Sequence, residues 1–146
     1  HSDWQEALLF TADGGGDNVH YSIRTFSDGK LTELYGGEAE MLQPRRIDSL
    51  GQMYSVVTEA LGFRPSRHEG KVTGLAGYGT PKYYDTLAGH FSVDDDGQIR
   101  SDFASYQEMR RCVVQIAAAG PREDVAASAQ LLLENFILSS MRRILA

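Results

Sequence analysis

An α/β fold, in which a three-stranded antiparallel meander is followed by helices, is what the sequence predicts. Three observations carry that expectation. Short apolar or alternating runs crowd the first 35 residues, with glycine-rich or Asp-Gly breaks between them. Later stretches space their apolar residues at helical intervals instead. Serine followed three residues on by Gln or Glu marks the start of two of those helices, at Ser49 and Ser105.

The run "EALLFTAD" (6–13) is short, nearly continuous and apolar, which suits a strand buried on both faces. "VHYSIRTF" (19–26) alternates, with Val19, Tyr21, Ile23 and Thr25 on one face. "LTELY" (31–35) follows across Asp28-Gly29, a strong hairpin signal. Gly14–Gly16 are expected to form the loop joining the first two strands. "SLGQMYSVVTEALGF" (49–63) predicts a helix with a Ser49/Gln52 capping box, an apolar stripe through Leu50, Met53, Tyr54, Val57 and Leu61, and a Schellman stop at Gly62-Phe63. In "RHEGKVTGLAGYGTPKYYD" (67–85), Gly70, Gly74, Gly77 and Gly79 predict a packed loop, and Thr80-Pro81 the cap and first residue of a short helix. "FSVDDDGQIRS" (91–101) reads as a hairpin turning at Asp96-Gly97; its acidic run lacks the glycine and glutamate spacing of a calcium loop. Ser105 and Glu108 open a helix that ends at Gly120. Pro121 opens the last one, with Val125, Ala129, Leu132, Phe136 and Ile144 on its apolar face. The expected organisation is a single partial domain over 1–146, incomplete at both ends. It comprises a meander plus helix (1–63), a glycine-rich loop with short helix and small hairpin insertion (64–104), and two helices (105–146).

With 146 residues, 42% of them hydrophobic, the chain can build one core of ordinary size. Fourteen basic against 20 acidic residues leave a net charge of −6, which argues against a nucleic-acid surface. No apolar run approaches the about 20 residues of a membrane helix, and no secretory leader pattern precedes the first strand. The single cysteine, Cys112, excludes an internal disulfide and fits a cytoplasmic setting. It is expected to be buried on its helix rather than to act as a nucleophile.

The chemistry concentrates in two glycine segments. In Asp13-Gly14-Gly15-Gly16-Asp17, a carboxylate at a strand end can hold a cation, and amides without a Cβ nearby can meet phosphate oxygens. The pattern is similar to the Asp-Gly loop between the first two strands of actin, Hsp70 and sugar-kinase folds; the competing reading is a plain hairpin loop. In "EGKVTGLAGYG", Lys71 is a candidate to neutralise phosphate and Glu69 to accept hydrogen bonds from sugar hydroxyls. The competing reading is a surface ion pair. None of the four histidines has an i, i+4 partner for a metal. Tyr54, Tyr83 and Tyr84 read as packing residues.

"EALLFTADGGGDN", "SLGQMYSVVTEALGF" and "EGKVTGLAGYGTPKYYD" resemble, in order and spacing, consecutive blocks of the carbamoyltransferases typified by nodulation protein U, whose relatives modify antibiotics. The likeness is strong over 4–85, weak over 86–120 and moderate at "DVAASAQLLLENFILSSMRRIL". It implies part of an actin-like ATPase (ribonuclease-H-like) domain, related to the enzymes that threonylcarbamoylate transfer RNA. It also implies an ATP-dependent O-carbamoyltransferase. Such an enzyme moves a carbamoyl group from carbamoyl phosphate, by way of carbamoyl-adenylate, to a hydroxyl of a small-molecule acceptor. An adenylate-forming domain of the same longer protein and an iron-type divalent metal belong to that picture.

Carried over by position, Asp13 matches a metal ligand, and Gly14, Gly15 and Gly16 the loop against the nucleotide phosphate. Glu69, Lys71 and Gly74 fall in a block near the nucleoside. The family's paired histidines and final aspartate have no counterpart in these residues, so the segment alone is expected to be inactive. Thr73 stands where the family has Met, and Gly77 where it has Pro. The rival readings are a transfer-RNA threonylcarbamoyl transferase relative, a non-catalytic actin-like nucleotide-binding domain, and a structural domain whose glycines are only turns.

Overall fold

Strand signals act first along the chain. The structure, a computed structural model, describes residues 3–16 and 18–146; His1, Ser2 and the Asp17 of the first glycine segment lie outside the described residues. β1 (Glu6–Gly16), β2 (Val19–Ser27) and β3 (Lys30–Tyr35) form an antiparallel sheet in that order, the expected meander. Asp28 and Gly29 turn β2 into β3 with φ of 53° and 72°, the left-handed pair that a two-residue hairpin needs. Phe10, Tyr21 and Ile23 share the inner face, with Tyr21 stacked on both Phe10 and Tyr35.

The glycine run is not a loop beyond the strand, and that expectation is corrected. β1 continues through Gly16, which pairs with Val19, while Ala12 pairs with Tyr21. Asp13, Gly14 and Gly15 therefore lie opposite His20 alone, as an enlarged bulge of three residues against one within the ladder. Gly15 has φ of +136°, open to a residue without Cβ, so the chain absorbs the extra residues and still resumes pairing.

After β3 come α1 (Glu38–Leu42) and a 3-10 turn (Arg46–Asp48), neither anticipated, and then α2 (Leu50–Ala60). The Ser49 hydroxyl accepts from Gln52 N–H at 3.1 Å. At the other end Phe63 N–H donates to Thr58 C=O and Gly62 N–H to Glu59 C=O, the expected Schellman pair, with Gly62 at φ 76°. Met53, Val56 and Val57 are fully buried, because α2 lies between β1 and the last two helices, α5 (Tyr106–Ala119) and α6 (Arg122–Leu145).

Residues 69–76 form a helix, α3 (Glu69–Ala76), where the glycines predicted a loop. Only Gly70 and Gly74 lie inside it, each costing about 1 kcal/mol relative to Ala. Burying Val72 completely and packing Leu75 and Ala76 against the core outweighs that cost. The next expectation is also displaced: α4 (Tyr84–Ala88) starts three residues after Pro81, with Tyr83 as N-cap. Thr80 and Lys82 are held instead by the Asp124 carboxylate, at 2.8 and 2.6 Å.

β4 (Phe91–Val93) and β5 (Ile99–Ser101) pair as the expected hairpin. Asp94 Oδ1 accepts from the N–H groups of Asp96 and Gln98, so the acidic run is a turn that satisfies itself. Tyr21 ties this hairpin to the sheet: its hydroxyl accepts from Ile99 N–H at 2.9 Å and donates to Ile99 C=O at 3.3 Å. Burial first, then the nearby Tyr35, pushes that phenol far above its usual range. α5 begins and ends as expected, capped by Ser105, whose hydroxyl accepts from Glu108 N–H, and α6 begins as expected after Pro121. Cys112 on α5 is half-buried rather than buried, which corrects the reading of it as a core residue. No helix of the described residues is long and apolar enough to cross a membrane.

Candidate functional site

The bulge of β1 meets the start of α2 at van der Waals distance. A methyl group on Gly51 would collide with the carbonyl of Asp13 and the amide of Gly14, so the helix comes this close only because residue 51 has no side chain. Gln52 does not complete the capping box that its spacing suggests. Its side-chain amide reaches across to the Gly14 carbonyl, which also takes His20 Nδ1 at 3.2 Å. Two side chains thus pin one carbonyl of the bulge. The Asp13 carboxylate folds back over its own glycines, with Oδ1 accepting from Gly15 N–H at 2.5 Å.

A cleft of about 700 Å³ opens beside this bulge. Asp13, Gly14 and Gly15 line one wall, Gln52, Tyr54 and Ser55 of α2 the floor, and Ser66, Glu69, Gly70 and Thr73 the far wall. The two glycine segments therefore converge, although more than 50 residues separate them. Gly16, Lys71 and Gly74 do not line the cleft. Lys71 turns instead toward the Phe63 ring, 5.9 Å from its centroid, and Gly74 faces open space.

Glu69 sits at the first position of α3, where a carboxylate complements the helix N-terminus. Its Oε1 accepts from Ser66 N–H at 2.6 Å and from the Ser55 hydroxyl at 2.9 Å. Burial works to raise this carboxyl, but hydrogen bonds, Ser66 N–H foremost and Ser55 among them, outweigh it and hold the group below the usual carboxylate range. The Tyr54 hydroxyl donates to Gln130 Oε1 and accepts from Thr73, both at 2.9 Å, which fixes the floor. Burial pushes the Tyr54 phenol up. Glu59, also on the cleft, is taken by Arg110 in a two-point ion pair at 2.9 and 3.0 Å.

The described lining thus holds three carboxylates and no Lys, Arg or His. An anion bound here would meet backbone N–H groups or a cation brought with it, because these walls supply no positive side chain. Among the described residues no group of three or more His, Cys, Asp or Glu side chains is arranged to hold a metal ion. Asp13 lines the cleft with one carboxylate oxygen already bound to Gly15 N–H, and no metal-holding set forms around it among the described residues. His20 Nε2 is buried without a hydrogen-bond partner among the described residues, while its Nδ1 is committed to the bulge.

A family model described as carbamoyltransferase N-terminus matches residues 2–146. This chain belongs to that family. A protein called uncharacterized protein MJ1051 from Methanocaldococcus jannaschii is 38% identical over 77 residues, covering 53% of this chain and 14% of the relative. Uncharacterized protein sll1178 from Synechocystis is 31% identical over 72% of the chain and 16% of the relative. Nodulation protein NolNO from Sinorhizobium fredii is 28% identical over 97% of the chain and 20% of its own length. The chain thus spans about a fifth or less of these relatives.

Sequence reasoning missed several parts of this carbamoyltransferase-family cleft, among them Gly51, Ser55, Ser66, Gly70, Thr73 and the tether from Gln52. Gln52 carried a signal, but its three-residue spacing from Ser49 pointed to a helix cap. Gly51 gave none, because a glycine early in a helix is read as a weakness until its neighbour is seen.

Proposed function

We propose that this chain is part of an ATP-dependent O-carbamoyltransferase built on an actin-like ATPase domain. The carbamoyl group passes from carbamoyl phosphate, through carbamoyl-adenylate, to a hydroxyl of a small-molecule acceptor. The observation that supports this reading is the convergence of the Asp13–Gly15 bulge and the Glu69–Gly70 helix start on one cleft. The bulge offers backbone amides that a phosphate can approach with no Cβ in the way. Glu69, with one oxygen already engaged, keeps a second for a ribose hydroxyl. Asp13 would contribute one carboxylate to an iron-type divalent cation, which when bound supplies Lewis-acid polarisation to the transferred group. The remaining ligands and the adenylate-forming domain would come from other parts of a longer protein.

The test gives the full-length protein ATP, radiolabelled carbamoyl phosphate and either hydroxylated small molecules or transfer RNA. The expected outcome is label on a small-molecule hydroxyl with release of AMP, lost in Asp13→Ala and reduced at least tenfold in Glu69→Gln. Label on transfer RNA alone, or undiminished transfer by Asp13→Ala, would overturn the assignment.

A further inference from the structure

Outside the cleft lining, three side chains from three separate segments meet at the surface. His90 follows α4, Asp102 follows β5, and Cys112 lies in the second turn of α5. His90 Nδ1 lies 2.8 Å from Asp102 Oδ1, and His90 Nε2 lies 3.7 Å from Cys112 Sγ. The Phe103 ring stacks on the imidazole with centroids 4.2 Å apart, and the Asp102 N–H donates to the His90 carbonyl at 3.1 Å. The ring is thus clamped in plane and aimed at both ends. None of the three residues lines the cleft.

A carboxylate on Nδ1 fixes the proton there and leaves Nε2 as the basic nitrogen, facing the thiol. A nucleophile within reach of a base, itself oriented by a third group, is the arrangement that activates serine and cysteine side chains. A purely structural pair needs no carboxylate behind the imidazole. Nor is the cluster sealed: the side chains of His90 and Asp102 are 34% and 68% exposed, and Cys112 is half-buried, so a small reagent has access.

We propose that Cys112, His90 and Asp102 form a modification site at which the thiol is oxidised by small hydroperoxides. As Sγ attacks the distal peroxide oxygen, His90 Nε2 takes the thiol proton and delivers it to the departing alkoxide or hydroxide. The O–O bond breaks and an S–O bond forms. Cys112 is oxidised by two electrons to a sulfenic acid, and the hydroperoxide is reduced to an alcohol or water. Burial first, then the charges of Glu108 and Asp102, pushes the resting thiol up, so it stays protonated until His90 removes the proton. The base is therefore required in the step itself, and this site stands independently of the carbamoyl-transfer reading.

The test treats the intact protein with hydrogen peroxide, captures sulfenic acid with dimedone, and follows the Cys112 peptide by mass spectrometry. Labelling is expected at least tenfold faster than on an unstructured peptide carrying the same cysteine. His90→Gln and Asp102→Asn are each expected to slow it tenfold or more, in keeping with the usual span of general-base effects. Asp102→Asn sits on an exposed side chain and keeps the fold if His90→Gln does not; unchanged thermal melting confirms that control. Wild-type labelling no faster than the peptide, or an Asp102→Asn rate equal to wild type in a folded protein, would overturn the proposal.

Discussion

Gly14–Gly16 and the glycines of α3 are held in place by different means. In the bulge, glycine is demanded from inside the fold at Gly15, which has φ of +136° and whose Cβ would come within 3.0 Å of the His20 ring, and at Gly51, which presses on the same backbone; Gly14 and Gly16 have room for a Cβ. In α3 nothing inside the fold asks for glycine. Gly70 and Gly74 have ordinary helical backbones, and a Cβ on either would meet no atom within 4 Å. Equal composition therefore has opposite meanings. The first segment is a rigid platform that the protein's own packing maintains. The second is a helix that carries two unfavourable residues for no reason of its own, and only Gly70 of the two faces the cleft.

The strongest way to break this contrast is Gly51→Ala. Its methyl group has nowhere to go except against the Asp13 carbonyl, so α2 and the bulge must part. Overpacking of this kind costs about 1–3 kcal/mol, measurable as a lowered midpoint of urea unfolding. Gly15→Ala belongs in the same range, from its left-handed backbone and the His20 contact. A Gly51→Ala protein as stable as wild type would mean that the platform is soft and the contrast false.

A smaller, opposite effect is expected in α3. Gly70→Ala and Gly74→Ala should each stabilise by about 0.5–1 kcal/mol, through helix propensity and a less free unfolded chain. The two should then separate. Gly70→Ala adds a methyl group to the cleft wall and is expected to weaken AMP binding to the full-length protein, measured by calorimetry. Gly74→Ala should leave that affinity unchanged. Loss of stability in both variants would show that α3 needs glycine for its own packing, and the difference from the bulge would vanish.

What was legible in the sequence was local. The Asp28-Gly29 turn, the Ser49 and Ser105 hydroxyl caps and the Gly62-Phe63 stop depend on residues within about one turn of each other, and each formed, though neither cap acquired the reciprocal half of its capping box. The α3 helix was not legible, because its support is Val72 and Leu75 packed against elements elsewhere in the chain. For the same reason Asp13 and Glu69 could be picked out singly by type, while Gly51 could not. Its significance exists only once β1 lies across it. The His90–Asp102–Cys112 cluster was missed likewise: each residue looks ordinary in its own segment, and only the β4–β5 hairpin brings the first two beside α5.

The smallest effect concerns Lys71, which by charge alone is the natural phosphate partner in its segment. It lies on α3 one residue past Gly70, and its ammonium points toward Phe63, a ring that Arg122 already covers at 4.5 Å. Lys71→Ala removes an exposed cation–π contact of about 0.5 kcal/mol and adds a good helix former, so the two nearly cancel. Stability and AMP or ATP affinity are both expected to stay within twofold of wild type in denaturation and calorimetric titrations. A fivefold or greater loss of ATP affinity with AMP affinity intact would place the lysine on the outer phosphates. The far wall would then supply charge as well as shape, and α3 could no longer be described as a helix that only makes room.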